Sequence, residues 1–466
     1  MPPKPANANK PDSPLAKLLK SVLKDYERIC SEYGCSPCPK IREALKKGIS
    51  EEFHIKTFVM DPKDRRSVEY WDDKTFVEWF ESAHDEKQTK KKGKPKKKTP
   101  KVEKPLVRLL PFIEALRNNR YLQIRELYVW GVYLDYSDML GLGGMVSKGN
   151  YELTYIELID CFLNEKAIDA LAPQVNYTKT LTNLILDFNE FGDSGCYTLC
   201  EGLKSCRWLI RLSVCFCGLH KQSGIWLGNL VAETSIRELY LDGNHLEAEG
   251  ASALLTQLAE AAIQEGIERE RLKAEKLAAL EAKAKAGRQR IDFDAPPGAS
   301  ANNAEGVPDA AVYNNDESTN VNASGGELSG DAPKNPGPKR KKRKHRKRPS
   351  KKKKLKVPPS GPQISQLHMA ENNINSISRG GSFAPVRCMQ LLKAIIANAK
   401  DLQEVDIFGN DIGQVAGRII LEGILARKDN SLPRVGVRVT HLINQDTYDM
   451  IRKLAPPLKP KKRKAA

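Results

Sequence analysis

Along residues 124–246 apolar residues return in one spacing, at positions one, four, six and eleven, with an Asn, Cys or Val at position nine. The spacing fits at Ile124-Leu127-Val129-Val132-Leu134, where Val takes the ninth place. It fits again at Leu153-Ile156-Leu158-Cys161-Leu163, Leu181-Leu184-Leu186-Asn189-Phe191, Leu209-Leu212-Val214-Cys217-Leu219 and Ile236-Leu239-Leu241-Asn244-Leu246. These units start 29, 28, 28 and 27 residues apart. After a gap the spacing returns at Ile364-Leu367-Met369-Asn372-Ile374 and Leu402-Val405-Ile407-Asn410-Ile412, and a degraded last copy begins at Leu432-Val435-Val437. Positions four and six predict a short strand with two side chains turned inward. The apolar pairs that follow, such as Leu199/Leu203, Leu254/Leu258 and Ile420/Ile424, predict a helix behind each strand. One such unit cannot bury its own apolar face, but stacked units can.

A period near 28 residues, with Asn or Cys at the ninth position and a full helix per unit, resembles the ribonuclease-inhibitor-like class of leucine-rich repeats. The resemblance covers roughly residues 105–446, less an insertion. It implies an α/β solenoid, a horseshoe of about eight strand–helix units, that binds a protein on its concave sheet. The class also includes the GTPase activator of Ran, so regulation of a small GTPase is a reading that rests on the resemblance alone. The Arg and Asn through which that activator works match no motif here.

Outside the repeats the pattern changes. Residues 1–13 are polar and Pro-rich and read as disordered. Residues 14–85 lean to helix: Leu15, Leu18, Leu19, Val22 and Leu23 share one face after a Ser-Pro start, and Phe76, Val77, Trp79 and Phe80 form an apolar cluster. This segment reads as a helical cap on the first unit, joined by a Lys-rich linker at 86–104 to units one to five at 105–266. Units six to eight occupy 361–446, and 447–466 is a basic tail. Between the two blocks of repeats lies an insertion, 267–360. Its first part continues the helix of unit five through IERERLKAEKLAALEAKAKAGRQR, a run of good helix formers. Its second part, 291–333, holds eight acids and no Lys or Arg, and a basic tract follows.

Charge sharpens this division. Of a net +18, residues 90–104 contribute +8, residues 334–356 contribute +15 and residues 459–464 contribute +5, so the remainder is net −10. The body is mildly acidic and carries basic arms. Lys339, Arg340, Lys341, Lys342, Arg343 and Lys344, with Lys461, Lys462, Arg463 and Lys464, resemble importin-read clusters. The same arms could hold an acidic polymer, whether nucleic acid or tubulin tails. They point to a nuclear protein, with the cytoskeleton or a flagellar axoneme as the alternative address. Without interleaved aromatics, base reading is not expected. No eighteen-residue apolar run and no signal-type leader occur, so the chain is expected to be intracellular and off the membrane.

Candidate chemistry is sparse. Cys35-x-x-Cys38, with Cys30 nearby, lacks a second ligand pair and reads as packing thiols rather than a zinc site. There is no P-loop and no H-E-x-x-H. The expectation is a non-enzyme without cofactor or metal, a monomeric scaffold. Its binding residues should be the strand positions that point away from the core. There acids outnumber Lys and Arg eight to three: Glu126, Glu157, Asp160, Asp187, Glu238, Asp242, Glu404 and Asp406 against Arg211, Arg434 and Arg438. Tyr128, Trp130, Tyr155, Tyr240, His368 and Phe408 stand among Glu157, Asp187, Asp242 and Asp406 as exposed ring anchors of a protein interface.

Overall fold

The computed structural model describes residues 12–62, 107–293, 357–377 and 380–458. The basic-arm residues 339–344 and 461–464, the linker 86–104, the cluster around Trp79 and the acidic part of the insertion lie outside them. The chain divides into two units, each taken by itself: one carries every strand described, and the other begins at Ala274.

Among the described residues nine strands form one parallel sheet in strict sequence order. They are β1 Thr57–Met60, β2 Glu126–Trp130, β3 Tyr155–Ile159, β4 Asn183–Ile185, β5 Arg211–Ser213, β6 Glu238–Tyr240, β7 Gln366–His368, β8 Glu404–Asp406 and β9 Gly436–Arg438. Helices follow the repeat strands: Tyr136–Val146, Glu165–Val175, Gly192–Leu203, Lys221–Glu233, Glu247–Phe293, Ala384–Asn398, Gly413–Asp429 and Gln445–Leu454. The inward strand residues, among them Leu127, Val129, Ile156, Leu158, Leu184, Leu212, Leu239, Leu367 and Val405, are fully buried in one core that runs from Leu19 to Ala455. Strand and helix thus share a single apolar seam, as the spacing predicts. The architecture is a leucine-rich-repeat α/β solenoid.

Two expectations need correction. The N-terminal segment holds helices Pro14–Tyr33 and Pro39–Glu51, but it also contributes a strand that the helical reading missed. That strand, β1, pairs with β2, Phe58 opposite Leu127 and Met60 opposite Val129. Phe58 packs edge-on against Phe112 and Tyr121, and Tyr26 against Phe112, which closes the first unit with aromatic rings. The last copy is also two residues out of place: Glu404 pairs with Gly436, and Asp406 with Arg438. Its pattern R-V-G-V-R-V alternates with period two, so either phase places valines inward.

The turn after each strand explains the ninth position. Asn189 is fully buried, and its Oδ1 accepts from the N–H groups of Cys161 (2.9 Å) and Leu163 (3.2 Å). Its Nδ2 donates to the carbonyls of Leu158 and Leu186, both at 2.9 Å. Asn244 repeats this with Cys217 and Leu219 as donors and Val214 and Leu241 as acceptors. Asn410 does so with Asn372 and Ile374, and with Met369 and Ile407. Cys161 and Cys217 do this more weakly: the thiols donate to Val129 and Ile159 and to Leu186 and Cys215, and their sulfurs meet the backbone N–H of Val132 and of Asn189.

The two side chains mark two alternating turns. In units two, four and six the tenth residue is left-handed: Phe162, Gly218 and Asn373. In units three, five and seven it is the twelfth: Gly192, Glu247 and Gly413. The true repeat therefore spans two units, and the insertion leaves its phase intact. Asn372 then stands where the alternation calls for a thiol. Its Nδ2 donates to Leu241 and Ala370 as a thiol would, while its buried Oδ1 has no partner. One position is left-handed in every one of the seven units: the eighth, at Gly131, Asp160, Phe188, Phe216, Gly243, Glu371 and Gly409.

A buried arginine closes the other end. Arg427 is 2% exposed and donates to the carbonyls of Ile396 (2.9 Å), Ala399 (2.7 Å), Leu402 (2.9 Å) and Pro433 (2.5 Å). Burial, with the nearby Arg269, pushes its pKa down to about 10. It caps the carbonyl end of helix Ala384–Asn398 together with Asn430, which donates to Ala397, and Arg269, which donates to Asn398.

Two stability experiments follow from these contacts. Asn244→Cys should cost roughly 1–3 kcal/mol by stranding two buried N–H groups. Asn372→Cys should leave the melting temperature unchanged or raise it, because it removes an unpaired buried acceptor; a loss equal to that of Asn244→Cys would refute the alternation. Arg427→Met should cost roughly 3 kcal/mol or more, measured by denaturant unfolding, since several buried carbonyls lose their donor together.

Candidate functional site

The strand residues turned away from the helices line up by register. One row runs Tyr128, Glu157, Ile185, Ser213, Tyr240, His368, Asp406 and Arg438 across β2 to β9. Neighbours in a row stand about 4.8 Å apart, closer than a tyrosine ring is long. The side chains must therefore settle against one another, and this overturns the expectation that the rings stand exposed. Tyr128 is 8% and Tyr240 5% exposed, His368 5% and Asp406 2%. Tyr128 packs on Tyr155 at 5.1 Å and on Trp130 at 6.0 Å, and Tyr240 on His368 at 4.6 Å. Of the aromatic anchors predicted, Trp130 and Tyr155 are half-buried and Phe408 is exposed.

The acids are held in place by the same crowding. Glu157 accepts from the Trp130 indole at 2.8 Å and from the Tyr155 phenol at 2.6 Å. Asp187 Oδ1 accepts from the Ser213 hydroxyl (2.6 Å) and the Cys215 N–H (2.9 Å), and Asp242 from the Ala370 N–H (3.0 Å). Glu238 pairs with Arg211 at 2.5 Å, and Asp406 with Arg438 at 2.5 Å. His368 lies 3.8 Å from Glu404 and 3.7 Å from Asp406. The phenols respond to burial and charge. Burial, then the Glu126 carboxylate, pushes Tyr128 up to about 12, and burial raises Tyr240 to about 12 against the pull of Arg211. Tyr155 is raised further, first by burial and then by its bond to Glu157.

Among the described residues three cations lie over rings at the face. Lys40 sits 5.6 Å from the Trp130 ring, Arg211 5.4 Å from Tyr240 and Arg438 4.9 Å from Phe408. Arg434 instead donates to the carbonyls of Lys453 and Leu454. Acid surplus persists: seven carboxylates, Glu126, Glu157, Asp187, Glu238, Asp242, Glu404 and Asp406, stand against Lys40, Arg211 and Arg438.

The sequence reading missed one element of the face. Phe188 and Phe216, at the left-handed eighth position, are 50% and 39% exposed and stack at 4.7 Å with their planes 6° apart. A left-handed backbone costs a residue with a side chain about 1–2 kcal/mol relative to its usual conformation. The signal was present in DFNEF and VCFCG, where three other units place Gly.

Two units also carry the match to known proteins. The Leucine Rich repeat family model matches residues 178–200 and 233–255, the two units with Asn at the ninth position before the insertion. The chain carries leucine-rich repeats. It is similar to mouse (Mus musculus) NACHT, LRR and PYD domains-containing protein 5, 44% identical over 68 residues, which is 14% of this chain and 6% of that protein. It is similar to mouse NACHT, LRR and PYD domains-containing protein 4B, 27% identical over 92 residues, 20% of this chain and 10% of that one. It is also similar to human (Homo sapiens) NACHT, LRR and PYD domains-containing protein 12, 37% identical over 89 residues, 18% of this chain and 8% of that one. The chain spans no more than a tenth of the length of these relatives. The matched stretches are two or three leucine-rich repeats long.

Among the described residues, no group of three or more His, Cys, Asp or Glu is arranged to hold a metal. Cys30 and Cys38 are buried free thiols, and Cys35 donates its backbone N–H to the Cys30 carbonyl at 2.9 Å, closing the end of helix Pro14–Tyr33 after Gly34. No helix among the described residues is long and apolar enough to cross a membrane.

The clamp on Glu157 can be tested by Glu157→Leu, which strands the Trp130 and Tyr155 donors. It should lower unfolding free energy by roughly 1–3 kcal/mol and alter the near-ultraviolet circular dichroism of the aromatic row. An unchanged spectrum would show the clamp to be dispensable.

Proposed function

We propose that this leucine-rich-repeat protein is a non-catalytic scaffold whose open sheet face binds a basic segment of a protein partner. The observation that carries the reading is the surplus of carboxylates on that face, among them Glu157, Asp187, Glu238, Asp242 and Asp406, fixed by bonds to their neighbours before any partner arrives. Fixed charges lose little side-chain entropy on binding, so their attraction to a cationic segment is spent on affinity and rate. Half-buried Trp130 and Tyr155 and exposed Phe408 supply apolar contact between the acids. Leucine-rich repeats in general offer extended surfaces of this kind. The basic arms, Lys339 to Lys344 and Lys461 to Lys464, would localise the scaffold by binding importin or an acidic polymer. Their +15 tract favours, as the second reading, a chain whose arms hold nucleic acid or tubulin tails.

The test uses the full chain and a fluorescent Lys/Arg-rich peptide. Binding should weaken several-fold between about 50 and 150 mM salt, as the screening length shortens toward 8 Å. The triple variant Glu157→Gln, Asp187→Asn, Asp242→Asn keeps an amide oxygen for the bonds that Asp187 and Asp242 accept and for one of the two that Glu157 accepts, and should bind at least about tenfold more weakly, losing roughly 0.5 kcal/mol or more per half-buried charge. Equal affinity of the variant would refute the reading of the face. A fluorescent fusion with both basic clusters replaced by Ser/Gly should lose the localisation of the parent.

A further inference from the structure

The row of eighth residues crosses the face at the carboxyl ends of the strands. Three units fill it with glycine, Gly131, Gly243 and Gly409, which the left-handed backbone favours. Units three and four place Phe188 and Phe216 there, both solvent-exposed and stacked face to face. Core packing does not require these rings, since neither is buried and neither belongs to the apolar core. A strained backbone that presents exposed aromatics is the kind of cost that binding sites carry. On one side of the pair the same row holds an exposed carboxylate, Asp160 in unit two; on the other stands Gly243, and the next carboxylate, Glu371, lies beyond it with its side chain over Gly409.

The rest of the face shows what such rings receive. Trp130, Tyr240 and Phe408 each lie under a cation of this chain, Lys40, Arg211 and Arg438. Among the described residues no cation lies over Phe188 or Phe216. The Phe216 ring does cover Gly243, where an added Cβ would fall 2.2 Å from it, so the stack is seated on the next unit rather than free to swing. We infer that the Phe188–Phe216 stack, with Asp160 next to it in the row, is the subsite that takes an arginine side chain of the partner. A guanidinium can stack on a ring and bond a carboxylate in the same pose, which an ammonium does less well. This inference rests on the proposed acidic binding face and names its specificity.

The experiment compares two fluorescent peptides, one alternating Gly and Arg and the other Gly and Lys, on the full chain at fixed salt. The parent should prefer the Arg peptide. Phe188→Gly with Phe216→Gly should weaken the Arg peptide about fivefold while narrowing its preference over the Lys peptide. Its melting temperature should hold or rise, because glycine relieves the left-handed strain; rings that merely support the fold would lower it. Phe188→Leu with Phe216→Leu keeps bulk and strain but loses the ring, so it should bind like the glycine variant, whereas Phe188→Tyr with Phe216→Tyr should bind like the parent. If the Leu and Tyr variants bind the Arg peptide equally, the inference is overturned. If they do so while the triple acid variant still loses binding, only the subsite fails. If the acid variant also binds as the parent does, the reading of the whole face fails with it.

Discussion

A chain that leaves a parallel strand and turns back toward a helix strands several backbone N–H and C=O groups inside the protein. Buried amides without partners are costly, so the turn must be satisfied at each repeat or the stack does not form. The ninth side chain carries this task, and two chemical types share it. An amide both accepts and donates, so Asn189, Asn244 and Asn410 each tie the preceding turn to their own. A thiol donates and accepts only weakly, so the turns of Cys161 and Cys217 depend on the Asn that follows. Links of this kind are local, each unit bonding to its neighbours alone. That locality is why roughly a hundred residues can leave from the helix of unit five without disturbing unit six. Only the phase of the alternation must survive, and Asn372 shows it survived with an imperfect residue in place.

The same constraint shapes the binding face. Parallel pairing in register puts side chains of neighbouring units about 4.8 Å apart on both sides of the sheet. Inside, leucines answer this by packing. Outside, the polar side chains have no core and answer it by bonding one another, which is how Glu157 comes to hold Trp130 and Tyr155. Crowding therefore makes the face rigid and keeps its tyrosines more buried than their position suggests. The eighth residue, forced left-handed by the turn, is the place where a side chain escapes the rows and stands up into solvent.

How much of this the sequence showed depends on whether periodicity carried it. The strands, the helices behind them, the insertion point and the long helix to Phe293 were all legible, because apolar spacing repeats seven times and noise does not. Strand β1 was not, since Thr57–Met60 stands alone, outside any repeat, and four residues show no period. The last unit was misplaced by two residues because alternating valines satisfy either phase, and only pairing with β8 decides between them. The alternation of turns was half visible in the order Cys161, Asn189, Cys217, Asn244, and Asn372 concealed it. Burial of Tyr128 and Tyr240 could not be read at all, because it depends on neighbours 27 to 128 residues away in the chain.

Stacked repeats leave a problem at each end, where a unit lacks a neighbour and a strand lacks a partner. The structure closes both ends with unrelated chemistry. At the start, Tyr26, Phe58, Phe112 and Tyr121 form an aromatic plug, and the Tyr121 hydroxyl bonds the backbone N–H and carbonyl of Ile55 at 2.7 and 2.8 Å. At the finish, Arg427 gathers the carbonyls of one helix end, and Arg434 those of helix Gln445–Leu454. Neither device resembles the repeat, because an end has to satisfy groups that an interior unit passes to its neighbour. With the helices covering one side of the sheet and these two closures at its ends, the polar groups left to meet a partner are those of the open side. Their arrangement is set by the turn chemistry of the repeats, so a change at a ninth or eighth position would move the binding surface as well as the core.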